Sequence, residues 1–420
     1  MTIIKCKNFT VVTVLSSDLE DISAEDLERL IEIGVPERTE LEFKYMLDPG
    51  REGHKKNLVK EVTSFANTSG GDLLIGIPDP DDVDHLGLSL NWITDYTRDE
   101  YKLKLEDIIR TGTQPQLSSH EIHTIPNPNQ GGAGFVAIVR IQQSMISPHR
   151  ATNSSGKPFY GRNSAGTYSY DVEQLREQLI EQYRLTEEIE SFLADRIAKI
   201  RAGNTPAPYE TGPSIILHVI PATAFGLQPE VDISPGENEM KGLPLFHRNS
   251  SGSHYGRARR NVDGIVNSKD FQRDDEDLWS EYTQLYRDGR IEAVHSFHLR
   301  NERVEEDRVG FLTLYEILRD RIPDYLGFLA DRKVQTPIFL YMTFIESKGY
   351  VLAKGRRNRT DRLDRDVATL PSATVESYDT PYSEIIKDLL QEVWHAFGEF
   401  GDPYDTLGEP EDRLSENGRR

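Results

Sequence analysis

The sequence predicts a mixed helix and strand protein, an α/β (α+β) chain with more than one domain, and three observations support this class. Residues 37–79 have the pattern of a strand, an amphipathic helix, a glycine turn and a second, apolar strand. Two later pairs of strand-like segments, 115–125 with 135–141 and 282–286 with 290–294, are separated by turn residues, as in antiparallel hairpins. With 420 residues, the chain is long enough for two domains of roughly 150 residues each.

We expect five segments along the chain. They are an N-terminal strand and helix at 1–33, a mixed-sheet domain at 34–170, a long connecting helix at 171–203, a second α+β domain at 204–400 and a disordered tail at 401–420.

Composition narrows the classes of function. The formal charge of −21 argues against wholesale wrapping of nucleic acid, so any such contact has to come from local basic patches. Cys6 is the only cysteine, which excludes an internal disulfide and Cys-based zinc sites and fits a reducing, cytoplasmic location. No apolar run approaches the roughly 18 residues of a membrane span. We interpret the first 21 residues as a strand and not as a signal peptide.

The first predicted helix follows this strand and ends just before the central unit. Ser23 is placed to cap it, acidic residues fill its first turn, and Gly34 ends it. In the next strand, Glu42 and Lys44 project from one face because side chains alternate along a strand. Their neighbours in the sequence, Leu41 and Phe43, then face apolar packing on the other side.

A helix at about 55–66 follows, with an apolar face and with Lys55 and Lys56 near its other side. Gly70 and Gly71 supply the positive φ that the chain needs to turn back. The apolar strand after them ends in Pro78 and a run of acids: Asp79, Asp81, Asp82 and Asp84. The carboxylates that follow this apolar strand can therefore lie close to the carboxylates of the strand that contains Glu42.

Further along, we expect a helix at 101–109, the first hairpin, a short strand that contains Arg162, and the long helix. The long helix has apolar residues along one face and would span roughly 45 Å at 1.5 Å per residue. Its predicted apolar face consists of Val172, Leu175, Leu179, Tyr183, Ile189, Leu193, Ile197 and Ile200.

The second domain begins after a turn near Pro206. We expect a buried strand at 215–220, a hairpin around Asp288 and Gly289, and helices at 308–321 and 323–331. Strands at 337–345 and 349–353 follow, and the last helix opens at Pro381.

Three sequence blocks, TELEFK, FANTSGGDLLIGI and FYGRNSAGTYS, together resemble the Schlafen-type AlbA-like domain of prokaryotic proteins and animal Schlafens. The resemblance covers roughly residues 34–171, and the middle block is the most specific. It implies an α/β fold and nucleic-acid binding, followed by a C-terminal domain of uncharacterised type. In the Schlafens that cleave tRNA and rRNA, three carboxylates bind a metal ion, and the matching positions here are Glu37, Glu42 and Asp79. Asp81 competes with Asp79 for the third position.

The residues themselves permit this chemistry. Carboxylates that bind Mg²⁺ or Mn²⁺ can neutralise a phosphodiester and lower the pKa of a bound water, and Lys44 can stabilise the same charge. The alternative interpretation is that Glu42 and Lys44 form a surface ion pair worth under about 1 kcal/mol.

Several basic residues are candidates for contacts with phosphate. Arg162 could bind a phosphate through two hydrogen bonds, and Lys55 and Lys56 lie on the polar side of their helix. Two basic runs in the second domain provide the remaining candidates. These are Arg257, Arg259 and Arg260 in the first run and Arg356 and Arg357 in the second.

The sequence thus leaves two functions open. One is a metal-dependent endonuclease that acts on structured RNA such as tRNA, with Glu37, Glu42, Lys44 and Asp79 as its catalytic residues. The other is a non-catalytic DNA-binding, RNA-binding or regulatory module that could form a homodimer. ATP hydrolysis is less favoured because no G-x-x-x-x-G-K-[ST] motif is present.

Overall fold

The computed structural model describes residues 19–34, 36–78, 89–117, 120–129, 133–209, 211–226, 231, 243–247, 257–268, 281–296, 307–354, 359–378 and 380–407. The chain divides into two compact units, Met1–Arg184 and Leu185–Arg420. Both contain helices packed on mixed or antiparallel sheets, so the predicted α+β class is confirmed. The predicted N-terminal strand lies outside the described residues.

The first unit contains the following elements in chain order: helix α1 (Ala24–Ile33), β1 (Leu41–Lys44), α2 (Glu52–Ala66), β2 (Gly71–Ile75), α3 (Arg98–Gly112), β3 (Thr113–Gln114), β4 (His120–Pro126), β5 (Phe135–Ile141), β6 (Arg150–Ala151), β7 (Tyr160–Asn163), β8 (Gly166–Ser169) and the first part of α4 (Val172–Arg201). Its main sheet has the strand order β1-β2-β5-β4. β1 and β2 are parallel, with Lys44 opposite Ile75, whereas the other two pairings are antiparallel. The carboxyl ends of β1 and β2 therefore lie at the same edge of a mixed sheet.

Helix α1 covers one face of this sheet. Ser23 and Asp26 form a capping box at its start, and Gly34 ends it with a left-handed φ of 64°. Its Leu27 and Leu30 pack against apolar residues of the strands, among them Phe43. The predicted helix is confirmed.

Helices α2 and α3 cover the opposite face. Leu58, Val62 and Phe65 of α2 and Tyr101 of α3 are buried against the sheet, where Leu73 projects toward them. Each such side chain contributes about 1.5–3 kcal/mol by leaving water. Because both faces are covered, the central strands have the continuous apolar character predicted for β2.

The turn from α2 into β2 depends on two glycines. Gly70 has φ +72° and Gly71 has φ +152°. A Cβ at Gly71 would lie 2.5 Å from the Phe65 ring and 2.6 Å from the Glu40 carbonyl oxygen. Only glycine fits this close approach of strand to helix.

Asn67, which ends α2, connects that helix to the strands β6 and β7. Its side-chain amide donates to the carbonyls of His149 and Tyr160 at 2.8 Å each, and its Oδ1 accepts from the His149 N–H at 2.6 Å. The Tyr170 hydroxyl donates to the Asn67 carbonyl at 2.8 Å. The end of α2 is thereby held against the strand that carries Arg162.

The second unit contains the rest of α4 and the following elements: β9 (Ser214–Pro221), β10 (Arg257–Arg260), β11 (Gly264–Ser268), β12 (Glu281–Tyr286), β13 (Ile291–His295), β14 (Arg308–Gly310), α5 (Phe311–Ala330), β15 (Ile338–Ile345), β16 (Val351–Ala353), β17 (Arg359–Arg362), β18 (Val367–Thr369), β19 (Ala373–Val375), α6 (Tyr382–Ala396) and α7 (Tyr404–Leu407). Among the described strands, the large sheet has the order β10-β11-β12-β13-β9-β15-β18, with β19 also paired to β15. Its pairings are antiparallel, and the predicted hairpin of β12 and β13 is confirmed. Helices α5 and α6 cover one face of this sheet.

Helix α5 corrects one prediction. The sequence predicts a break at Pro323, yet Phe311–Ala330 is one helix with Pro323 inside it. Leu318, Ile322 and Leu326 are buried in the same core on both sides of the proline. This packing outweighs the hydrogen bond that proline cannot donate.

Helix α4 corrects a second prediction, that of an apolar face buried along the whole helix. Its second part is buried as predicted, with Ile197 and Ile200 in the core of the second unit. In its first part, however, Val172, Leu179 and Tyr183 are 73%, 50% and 64% exposed. The helix exists over the predicted range, but its apolar face is not buried along the whole length.

Among the described residues, no helix has both the length and the apolar character needed to span a lipid bilayer. The tail predicted from residue 401 starts with the short helix α7, whose Tyr404 hydroxyl donates to the Ser383 carbonyl at 2.9 Å. Residues 408–420 lie outside the described residues.

Candidate functional site

The candidate site is built on β1, the first strand of the four-stranded sheet. Leu41 and Phe43 point into the core on the α1 side. Glu42 and Lys44 point the other way, toward α2, as the alternation of the sequence predicts.

Glu42 is 6% exposed and contacts two cations. Its Oε1 pairs with the Lys44 ammonium, and its Oε2 accepts a hydrogen bond from the Arg162 guanidinium. Burial alone would raise the pKa of Glu42, but hydrogen bonds and charges from Lys44 and Arg162 outweigh it and hold this pKa below its usual value. Glu42 is therefore ionised at neutral pH.

Glu61, on α2, is a second buried carboxylate that the sequence analysis missed. Its Oε2 accepts from Arg162 Nη1 at 3.0 Å and from the Thr167 hydroxyl at 2.6 Å. Its Oε1 lies 3.9 Å from the Lys44 Nζ and 3.7 Å from the Lys60 Nζ. The buried cluster around Arg162 thus contains two carboxylates and three cations, and Lys60 is a member that was not predicted.

Arg162 lies at the centre of this cluster, and its side chain is 1% exposed. Its guanidinium also stacks on Phe65, with Cζ 4.6 Å from the ring centre. The structure therefore places Arg162 inside the domain, behind Lys44 and Lys60, whose side chains are 27% and 35% exposed.

Glu37 lies beside the same strand. A tight turn joins Arg38 and Leu41, whose backbone N–H groups donate to each other's carbonyls at 3.1 and 3.2 Å. This turn brings Glu37 back alongside β1, where its Oε1 accepts from the Phe43 N–H at 3.3 Å. Glu37 and Glu42 are thus both close to β1.

Asp79 and Asp81 lie outside the described residues. The chain just before them is described: the N–H groups of Gly76 and Ile77 donate to the Lys44 carbonyl at 2.8 and 3.4 Å. The segment that leaves β2 therefore starts next to the end of β1.

The described carboxylates do not by themselves fit a metal site. Both oxygens of Glu42 are already engaged by cationic side chains. Across the described residues, no three His, Cys, Asp or Glu side chains are grouped so that they could hold an ion. A divalent ion here would need ligands from outside the described residues and a rearrangement of the Glu42 contacts.

The other predicted phosphate contacts are dispersed. Lys55 pairs with Glu52 at 2.7 Å, and Lys56 is exposed on the same helix. Arg259 and Arg260 are exposed on β10 in the second unit. The side chain of Arg257 and the whole of Arg356 and Arg357 lie outside the described residues.

Comparison with known proteins supports the resemblance in the first unit. Residues 37–171, about a third of the chain, match the family model described as Schlafen, AlbA_2. The family resemblance inferred from the sequence is confirmed for this segment. A match to this family suggests a nucleic-acid-related function.

No curated protein matches the chain. Among solved structures, the DIP2311 protein from Corynebacterium diphtheriae matches with 16% identity and a TM-score of 0.24. The match covers 34% of this chain and 29% of that one.

Proposed function

We propose that the segment 37–171, which matches the Schlafen AlbA_2 family, is a nucleic-acid-binding domain that contacts backbone phosphates through Lys44 and Lys60. The observation that carries the proposal is the surplus of cations over carboxylates around Glu42 and Glu61. The two lysines are the members of this cluster that reach solvent.

The position of the two ammonium groups supports a phosphate ligand. Both lie within 4.0 Å of the same Glu61 oxygen, at 3.9 and 3.7 Å. Two ammonium groups that both lie within 4.0 Å of one carboxylate oxygen can also contact a single phosphate. Lys56 lies one helical turn before Lys60 on α2 and extends the basic surface along the helix.

Because the net charge is −21, we expect nucleic acid to contact only the basic surface around Lys44 and Lys60. We also expect the affinity to depend on salt. Each phosphate that a cation neutralises releases counterions, so affinity falls as salt rises. The proposal covers RNA and DNA alike, and the single cysteine fits a cytoplasmic location.

The first test measures binding of labelled duplex DNA and single-stranded RNA by fluorescence anisotropy between about 50 and 200 mM salt. We expect the double variant Lys44→Gln/Lys60→Gln to bind at least about tenfold more weakly. Lys104→Gln is the matched control, because Lys104 is an exposed lysine of α3 in the same unit. Absence of binding by the unmodified protein at low salt would refute the proposal.

Metal-dependent cleavage of structured RNA is the second candidate. The observation that favours it is the contact of Glu37 with the Phe43 N–H, next to the low-pKa Glu42 in β1. Its test is incubation with tRNA, single-stranded RNA and duplex DNA in Mg²⁺, Mn²⁺ or EDTA. Discrete cutting that requires metal and disappears in Glu42→Gln and Asp79→Asn would establish an endonuclease. Binding without cutting would contradict the endonuclease and favour a non-catalytic nucleic-acid-binding module.

A further inference from the structure

Arg162 has no N–H group to spare for a ligand. A guanidinium carries five N–H donors, and five acceptors of the protein surround this one at distances of up to 3.3 Å. The acceptors are the carbonyls of Arg38 and Leu41, Oε2 of Glu42, Oε2 of Glu61 and the hydroxyl of Thr167. A phosphate could bind Arg162 only by displacing some of these buried partners.

These partners belong to three different parts of the fold. Arg38, Leu41 and Glu42 lie on or next to β1, Glu61 lies on α2, and Thr167 lies on β8 beside Arg162 itself. Arg162 therefore joins β1 to α2 and to the hairpin of β7 and β8. It also neutralises the sides of Glu42 and Glu61 that face the interior.

The neutralisation has a consequence for the two lysines. Without Arg162, two buried carboxylates would have to be neutralised by Lys44 and Lys60. With Arg162 in place, the ammonium groups retain surplus positive charge at the surface.

We infer that Lys44 and Lys60 together hold one backbone phosphate and that Arg162 is a positioning residue behind them, not a phosphate ligand. This inference rests on the proposed nucleic-acid-binding function. It identifies the ligand of the site as a single phosphate held between β1 and α2.

The test compares three proteins with the unmodified chain in the same anisotropy assay. They are Lys44→Gln/Lys60→Gln, Arg162→Gln, and the triple variant Glu42→Gln/Glu61→Gln/Arg162→Gln. Circular dichroism and thermal unfolding check that each is folded. The triple variant replaces the three buried charged side chains of the cluster by neutral amides, so that no buried charge is left without a partner.

We expect Lys44→Gln/Lys60→Gln to reduce the slope of log affinity against log salt by about 0.9 on duplex DNA, the value for one phosphate. A reduction of about 1.8 would mean two separate phosphates and would overturn that part of the inference. We expect Arg162→Gln to bind at least about tenfold more weakly.

The triple variant decides the role of Arg162, even if Arg162→Gln fails to fold. For a positioning residue, removal of the carboxylates together with the arginine restores the affinity and the slope of the unmodified chain. A folded triple variant that binds weakly, with a slope reduced by about 0.9, would identify Arg162 as a phosphate ligand and overturn the inference. Failure of the unmodified chain to bind would instead refute the proposed function itself.

Discussion

Glu61 is a carboxylate on the buried stripe of α2, three residues after Leu58 and four before Phe65. An acid at such a position is rarely buried without a partner. The sequence therefore contained a signal, namely an ionisable residue at helical spacing among apolar ones. It could not reveal the partner, because Arg162 is about a hundred residues away in the chain.

We predict that Glu61→Gln destabilises the first unit by about 3 kcal/mol, because it removes one partner of a buried ion pair. Glu52→Gln is the matched control in the same helix, since its side chain is 76% exposed and its pair with Lys55 contributes under about 1 kcal/mol. Urea denaturation followed by circular dichroism measures both. Equal losses in the two variants would mean that the buried cluster does not stabilise the fold.

Glu292 is the corresponding buried acid of the second unit. It is fully buried and accepts hydrogen bonds from Arg196 at 2.8 and 2.9 Å and from Tyr282 at 2.8 Å, while His218 Nε2 lies 3.2 Å away. Burial alone would raise its pKa, but His218 and Arg196 lower the pKa of Glu292 to about 2. His218 is thus a residue of the core of the second unit.

This pKa predicts a dependence of stability on pH. Because the folded pKa is below the unfolded value of 4.5, the stabilisation is complete above pH 4.5 and is lost as the pH falls toward 2. The unmodified chain should lose about 1 kcal/mol per pH unit relative to Glu292→Gln in this window. Denaturation curves of both proteins between pH 5 and pH 3 provide the measurement, and a constant difference between them would contradict the assignment.

At the scale of elements, local signals predicted most of the first unit. The cap at Ser23, the glycine at 34, the alternation in β1 and the glycine pair before β2 each determine structure within a few residues. The predictions were wrong where tertiary packing determines the structure of an element. Buried residues on both sides of Pro323 keep α5 continuous, and the exposure of Val172 and Leu179 depends on what packs on α4.

We predict opposite effects for two Gly→Ala substitutions near α2. Gly71→Ala should destabilise by more than about 2 kcal/mol, because its φ is positive and its Cβ would overlap Phe65 and the Glu40 carbonyl. Gly53→Ala should stabilise the first unit by up to about 1 kcal/mol, because Gly53 lies in α2 and no other atom would lie within 4 Å of the new Cβ. Thermal unfolding compares them, and a neutral Gly71→Ala would show that the turn can relax.

At the scale of the whole molecule, each unit has its own apolar cores. The residues that pack around the four-stranded sheet and those that pack around the large antiparallel sheet form separate clusters. Chain length predicted more than one domain. It could not predict where the chain divides, because the boundary between Arg184 and Leu185 falls inside one continuous helix.

Separate cores predict separate unfolding transitions. In differential scanning calorimetry, Gly71→Ala should lower one transition and Glu292→Gln the other, because each substitution disturbs a different core. A shift of both transitions by either single substitution would show that the units unfold as one.

The position of β10 in the large sheet affects how the protein resists aggregation. Among the described strands it is the first in the order of the large sheet, and an end strand can pair with strands of other molecules and start aggregation. Arg259 and Arg260 are exposed on it, facing opposite sides because side chains alternate. Charges at these positions oppose pairing of one sheet edge with another, so we expect the same arginines that were predicted to contact phosphate to oppose fibril formation as well. Replacing both by threonine should increase light scattering on storage.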